Sequence, residues 1–316
     1  MIPIYNEEEN LEELFRRLTD ACSTLEGVDW RVIYVNDGSA DRSLEMMIDH
    51  CQRDGRFTVV ELSRNFGHQA AIAAGIKSAE GDAVIFMDGD LQDPPELIPG
   101  LLASWKNGNQ VVRAERRSRK ERGLRGLGFT LFHKFFAWVS DFPVHSQSGI
   151  FGLVDKQALE ELKRFTEKNR FFPGLRSWVG FEQGVVCYDR EERAAGEPKQ
   201  SMKRLIKYAL DAIFSFSYKP LRLMTGIGVI ISASGFALAC FFIVRRLMGI
   251  EIAQTGFTTL VTLVLFIGGV QLIAIGILGE YLARIYDEVK QRPLFIVKKR
   301  HGLSLPGTRT EDQDEA

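Results

Sequence analysis

The chain has 316 residues, enough for about two domains, and its 45% apolar and 26% charged content is that of a folded rather than a disordered protein. A formal charge of −1 leaves no basic excess to track a phosphate backbone, which argues against nucleic acid as the main partner. Cys22, Cys51, Cys187 and Cys240 lack C-x-x-C or metal spacing, so they read as reduced core or membrane residues of a cytoplasm-facing protein, not as a disulfide framework.

In chain order, Met1 is followed at once by Ile-Pro-Ile-Tyr-Asn-Glu, a start that does not read as a signal peptide. Asn6 is placed to cap a helix over 7–21 with Leu11, Leu14, Phe15 and Leu18 on one stripe. WRVIYVNDGS, Trp30 to Ser39, predicts a short strand ending in a polar turn, with Ser39 or Asp41 opening the next helix. FTVVELSRN, Phe57 to Asn65, repeats the pattern before a small-residue helix, and DAVIFMDGD, Asp82 to Asp90, repeats it again. Strand, polar turn and helix recurring at intervals of roughly 25 to 30 residues predict parallel strands with helical crossovers. Such sheets bind ligands beyond the carboxyl ends of their strands. Asn36-Asp37-Gly38, Arg64-Asn65 and Asp88-Gly89-Asp90 all fall there.

Asp88, Asp90 and Gln92 stand two residues apart after the third of these strands. Asp93, before Pro94-Pro95-Glu96, reads as a helix cap with proline in the first turn. That leaves Asp88 and Asp90 to explain, because carboxylates so close repel unless a cation or proton lies between them. Hard oxygen donors in this spacing suit Mg²⁺ or Mn²⁺, which commonly bridge to substrate phosphates. The crevice therefore reads as a nucleotide-sugar site.

Further along, Gln200 to Tyr218 carries Leu205, Ile206, Ala209, Leu210, Ile213 and Phe214 on one stripe, as for a helix lying in a headgroup plane. Leu223 to Val244 and Ile252 to Gly279 contain no charged residue, and each is long enough to cross about 30 Å of hydrocarbon. Basic residues crowd the outer flanks of this pair, while only Arg245 and Arg246 lie between the spans, which places both ends in the cytoplasm. Glycines 226, 228, 235, 268, 269, 276 and 279 permit close helix packing and self-association.

IPIYNEEENL, VNDGSADRS, SRNFGHQAA, MDGDLQDPPELI, NRFFPGLRSWVGF, AGEPKQSMKRLIKYALDAIFSFS and GEYLARIYDEVKQRPLFIV occur in this order from Ile2 to about Val297. Together they resemble the family 2 glycosyltransferases that load sugars onto polyprenyl phosphates, the bactoprenol glucosyltransferases and their dolichol-phosphate mannose synthase relatives. The resemblance implies an α/β GT-A fold with a mainly parallel sheet over 1–198, an interfacial helix over 199–220, two transmembrane helices over 221–283 and a cytoplasmic tail over 284–316. It implies metal-dependent, inverting transfer of a hexosyl group from a nucleoside diphosphate sugar, UDP-glucose, to undecaprenyl phosphate. The protein is then a multi-pass, homo-oligomeric protein of the inner membrane with its catalytic domain and both termini in the cytoplasm.

By position, the resemblance puts Pro3, Tyr5, Asn6 and Glu7 on the nucleotide, with Asn36 and Asp37 on base and ribose. Asp88, Asp90 and Gln92 match the metal and diphosphate positions, and Arg116, Arg117, Arg119, Arg122 and Arg125 the acceptor phosphate, with Asp88, Asp90, Arg116 and Arg119 carrying the catalysis. Guanidinium groups suit that role because they bind phosphate bidentately. The alternative for the arginines is a solvated or headgroup-binding loop.

Two departures stand out. Relatives carry an Asp-x-Gly-Asp-Phe-Arg-type string where this chain reads Gln147-Ser148-Gly149-Ile150-Phe151-Gly152, which removes the acidic side chain suggested as a base. The first strand is shorter than in relatives, so Met1 reads as an internal start. His68, in a glycine turn, and His133, among phenylalanines, are not taken as bases, and Trp178 reads as core. Glu280 and Arg284, one turn apart, read as a helix pair. The alternatives are a processive polysaccharide synthase, which would carry more spans and a Gln-x-x-Arg-Trp string, and a phosphatase or non-catalytic membrane protein using D-x-D differently.

Overall fold

The structure, a computed structural model, describes residues 1–116, 149–168, 170–188, 219–248 and 256–302. Strands β1 (Ile2–Ile4), β2 (Val32–Asn36) and β3 (Phe57–Leu62) run parallel, with Ile4 opposite Asn36 and Asn36 opposite Glu61. Their carboxyl ends are therefore level. Helices α1 (Glu8–Ser23), α2 (Ser43–Arg53) and α3 (His68–Ser78) follow them in turn. All five residues of β2 are buried, as expected for a parallel strand covered on both faces. Leu11, Leu14 and Leu18 of α1 are buried against this core, each burial stabilising by about 2 kcal/mol.

Strand β4 (Ala83–Phe86) lies beside β1: the Met1 ammonium donates to the Ile85 carbonyl at 2.7 Å, and the Met87 N–H donates to the Met1 carbonyl at 3.2 Å. These bonds join the first sheet to a second, ordered β4-β6-β5-β7, with β5 at Val111–Arg116, β6 at Gly152–Asp155 and β7 at Gln183–Tyr188. Strand β6 is antiparallel to both β4 and β5, whereas β5 and β7 are parallel. A 3-10 turn (Pro95–Leu97) leads into α4 (Ile98–Lys106), and α5 (Lys156–Arg164) and α6 (Phe172–Trp178) complete this half. The expected α/β architecture is present, but the sheet is mixed rather than mainly parallel.

After β7 the described chain resumes in two long helices, α7 (Lys219–Leu247) and α8 (Phe257–Val289), and returns as strand β8 (Val297–His301), antiparallel to β3. The helices form one compact unit, and all the described strands belong to the other. Both helices are long and apolar enough to cross a membrane, over Leu221–Leu238 and Phe266–Val289, and neither stretch is buried within the protein. The seven glycines expected at close helix contacts have open space around them. Arg284 donates to Glu280 Oε1 at 2.8 Å, the helix pair expected there. The stretch read as a tail thus supplies an edge strand, whose Lys298 and His301 meet the buried Glu61 of β3 at 2.6 and 3.0 Å.

Several local expectations are overturned. Asn6 does not cap α1: Glu7 occupies the cap position, and Asn6 instead accepts the Ala40 N–H at 2.8 Å. Helix α2 begins at Ser43 after Arg42, later than Ser39 or Asp41, although Asp41 accepts the Ser43 N–H at 3.0 Å. Trp178 is 54% exposed at the end of α6, edge-on to Phe165, and is not core. Cys187 is exposed on β7, whereas Cys22 and Cys51 are buried as expected. The proposed interfacial helix, 199–220, lies outside the described residues except at its end.

Candidate active site

The loops after β1, β2 and β3 are tied together by side chains from the polar turns. Asn6, in a left-handed conformation (φ 53°), donates its N–H to Ser39 Oγ at 3.1 Å, and the Glu7 N–H donates to Ser43 Oγ at 2.9 Å. The Asp37 carboxylate accepts the N–H groups of Phe66 and Gly67 at 2.8 and 3.0 Å. Burial raises its pKa, and the two amides offset part of that rise. Gly38 (φ +65°) must be glycine here, since a Cβ would fall 2.5 Å from the backbone of Arg64 and Asn65. Asn36 accepts the Ser39 N–H at 3.2 Å.

The residues expected on the nucleotide thus divide by position. Tyr5 and Asn6 are exposed and Glu7 is half-buried at the open side of these loops. Pro3 is buried in β1, while Asn36 and Asp37 are 1% and 3% exposed and their oxygens hold the loop framework.

The D-x-D loop follows β4. Burial, the neighbouring Asp93 and Asp90, and Glu7 together push the Asp88 carboxyl up to about 7, with Arg116 opposing them. Asp90 Oδ1 accepts the Gln92 N–H at 3.1 Å, closing a tight turn. Leu91 between them adopts φ 59°, a left-handed conformation costing a branched residue roughly 1–3 kcal/mol. The Gln92 side chain is buried, so its residue helps to build the turn. Gly89 packs so closely on Ile4 that a Cβ would lie 2.3 Å from its Cδ1. His68, which sequence reasoning set aside, brings Nε2 to 3.5 Å from Asp88 Oδ1. Its signal was only its place at a strand end, immediately after a glycine turn.

Asp93 is not a cap. The cap position of the 3-10 turn is Pro94, and Asp93 is fully buried, where Oδ1 accepts from Arg116 Nη2 at 3.2 Å and from the Tyr188 hydroxyl. Arg116 Nε donates to Tyr188 Oη at 3.0 Å. Arg116 therefore ends β5 against the D-x-D loop, where its charge acts on Asp88. Arg117, Arg119, Arg122, Arg125, His133 and Gln147 lie outside the described residues. Ile150 is 4% exposed, so the side chain at this position faces the interior. Its carbonyl, with those of Gly149 and Phe151, accepts from the buried Arg176 at 3.0 to 3.2 Å. Burial and the neighbouring Arg113 push the Arg176 guanidinium down to about 9.

Among the described residues, no three His, Cys, Asp or Glu side chains form a metal cage. The donor set nevertheless fits a hard divalent ion that takes two carboxylates and completes its shell with ligand oxygens. Asp88, Asp90 and Asp93 crowd one loop with Arg116 as the cation that opposes them at Asp88. A cation held by Asp88 and Asp90 would offset the charge of a diphosphate, and the Arg116 guanidinium suits an anionic group.

Residues 1–163 match the model of glycosyl transferase family 2. The chain is 43% identical over 305 residues to the uncharacterized glycosyltransferase sll0501 of Synechocystis sp., covering 96% of this chain and 95% of that protein. It is 37% identical over 302 residues to the bactoprenol glucosyl transferase of Shigella phage SfII, covering 95% and 97%. Among solved structures, it is similar to glucosyl-3-phosphoglycerate synthase from Mycobacterium tuberculosis, crystallised with Mn²⁺, uridine diphosphate and glucosyl-3-phosphoglycerate. That likeness has 18% identity and a TM-score of 0.41, covering 67% of this chain and 76% of the other. The family match reaches from β1 through the D-x-D loop, β5 and β6 to α5, and near-full-length relatives extend it through both long helices: the chain is a glycosyltransferase and belongs to glycosyl transferase family 2.

Proposed function

We propose that this enzyme transfers a hexosyl group, glucose from UDP-glucose, to polyprenyl phosphate at the cytoplasmic face of the membrane, with inversion at the anomeric carbon. The observation that carries the reading is the contact of Arg116 with Asp93 at 3.2 Å, which brings the end of β5 to the loop that bears Asp88 and Asp90, in a chain that inserts two apolar helices between β7 and β8. The chain leaves one sheet at β7 and returns to the other at β8 within the same compact unit, and two crossings bring a chain back to the side of a bilayer from which it left. Exposed Val229, Ile230, Phe236 and Leu272 support an apolar surrounding for these helices. Their open glycine faces support self-association.

In this reading Tyr5, Asn6 and Glu7 border the nucleotide while Asn36 and Asp37 fix the loops beneath it. Asp88 and Asp90 would hold Mg²⁺ or Mn²⁺, which when bound neutralises charge on the departing diphosphate. Arg116, with the arginines that follow it, orients the acceptor phosphate. A phosphate oxygen attacks the anomeric carbon, the bond from that carbon to the diphosphate oxygen breaks, and the nucleoside diphosphate leaves. A phosphate monoester with a second pKa of roughly 6 is largely ionised at neutral pH, so no side chain need remove a proton. That accords with the buried Ile150 in place of an acid. Positioning and charge stabilisation then carry the rate.

The test is to incubate membranes containing the protein with a panel of radiolabelled UDP- and GDP-sugars and to extract the lipid. Label from UDP-glucose should enter the lipid phase. Entry from a different donor would correct the sugar, and no entry from any donor would overturn the lipid acceptor.

A further inference from the structure

Asp93, Arg116 and Tyr188 close a ring of three side chains drawn from three parts of the fold. Asp93 follows the D-x-D turn, Arg116 ends β5 and Tyr188 ends β7, directly opposite Arg116 in the parallel register. Arg116 gives Nη2 to Asp93 and Nε to Tyr188, and the Tyr188 hydroxyl donates to the same Asp93 oxygen. One edge of the guanidinium is thus committed inward, while the side chain keeps 30% exposure. Asp93 is fully buried, and its second oxygen has no partner among the described residues. A buried carboxylate tolerates loss of its cation poorly, so Arg116 is anchored rather than loosely paired. The Tyr188 ring is itself fixed, edge-on to the buried Phe151 at 5.9 Å.

We propose that Tyr188 and Asp93 are positioning residues that orient Arg116 before the acceptor arrives and tie it to the loop bearing Asp88 and Asp90. The inference rests on the reading that Arg116 meets the acceptor phosphate. An arginine on a free strand end would have to be ordered by each incoming phosphate, whereas the ring orders it in advance. Because Asp93 lies three residues beyond Asp90, the same contact sets the spacing between the donor side and the acceptor side of the crevice.

The experiment compares wild type with Tyr188→Phe, Arg116→Ala and the double variant, measuring initial rates against polyprenyl phosphate at saturating donor, and against donor at saturating acceptor. Tyr188→Phe keeps the ring and its contact with Phe151, and removes only the hydroxyl. We expect kcat/KM for the acceptor to fall by about tenfold, the scale of a slightly misplaced reacting group, with the donor KM unchanged. On the Arg116→Ala background, Tyr188→Phe should add nothing, since the residue it orients is gone. An equal loss on both backgrounds, or a loss shared by donor and acceptor, would show a merely structural role and overturn the proposal. So would a wild-type acceptor profile for Tyr188→Phe when Arg116→Ala is impaired. If Arg116→Ala itself leaves the acceptor KM and kcat unchanged, the reading of Arg116 falls and this inference with it. Should Tyr188→Phe fold poorly, Asp93→Asn provides the same comparison: an acceptor-side loss supports the proposal and an unchanged acceptor profile refutes it.

Discussion

The imidazole Nε2 of His68, the first residue of α3, lies 3.5 Å from Asp88 Oδ1 at the end of β4. Two loops that are separate in sequence thereby meet at the first carboxylate of the D-x-D. Under the proposed metal role of Asp88, a neighbour that orients its carboxylate should shift the ion's apparent affinity. His68→Ala should raise the Mg²⁺ or Mn²⁺ concentration for half-maximal rate by about tenfold, the low end for an outer-sphere partner. A metal titration of initial rate checks this, and a shift smaller than about twofold would remove His68 from the site.

The buried Glu61 gives the fold a pH dependence. Burial raises the Glu61 pKa, but Lys298 and His301 lower it further, so the net value lies below the ordinary carboxylate value of 4.5. The folded state then binds a proton less readily than the unfolded chain. The stabilisation is complete above about 4.5 and is lost as pH falls through the folded-state value. Glu61→Gln should cost roughly 1–3 kcal/mol at neutral pH. Melting temperatures of wild type and variant, followed from neutral to acid pH, should converge as the carboxylate protonates. Parallel curves would contradict the ion pair.

Strand β8 makes the end of the described chain part of the sheet, so a cut placed after β7 removes more than the two long helices. Deleting everything from Ser201 onward should expose the edge of β3 and leave Glu61 buried without Lys298 and His301, giving an aggregating protein. Replacing only Ser201–Gln291 by a flexible linker should retain β8 and yield a monodisperse domain that binds donor but transfers poorly to acceptor in bilayers. Size-exclusion chromatography and donor-binding calorimetry on the two variants decide this. Equal behaviour would mean that β8 contributes nothing to the sheet's integrity.

Much of this arrangement was legible in the sequence because apolar runs ended in polar turns at Asn36-Asp37-Gly38 and Asp88-Gly89-Asp90, which a sheet places side by side. What escaped depends on contacts between distant residues. Asp93 read as a cap from its prolines, yet its partners lie 23 and 95 positions away. Asn6 carried a cap signal too, but the backbone of Ala40 competes for its oxygen. VKKRH has a single apolar residue and no strand pattern of its own; pairing with β3 and the charge on Glu61 make it a strand. The antiparallel β6 likewise carried no signal against the repeated strand-turn-helix pattern.

The central claim, that Asp88 and Asp90 support transfer of sugar to a lipid phosphate, is tested most directly with purified protein, labelled donor and either undecaprenyl phosphate or undecaprenol. Initial rates are read as label in the lipid extract, for wild type and Asp90→Ala, with metal present and with excess EDTA. The account predicts label only for wild type, only with metal and only on the phosphate-bearing lipid, with Asp90→Ala still folded and membrane-bound because the change leaves the core intact. Full activity of Asp90→Ala in EDTA, or equal labelling of undecaprenol, would contradict it.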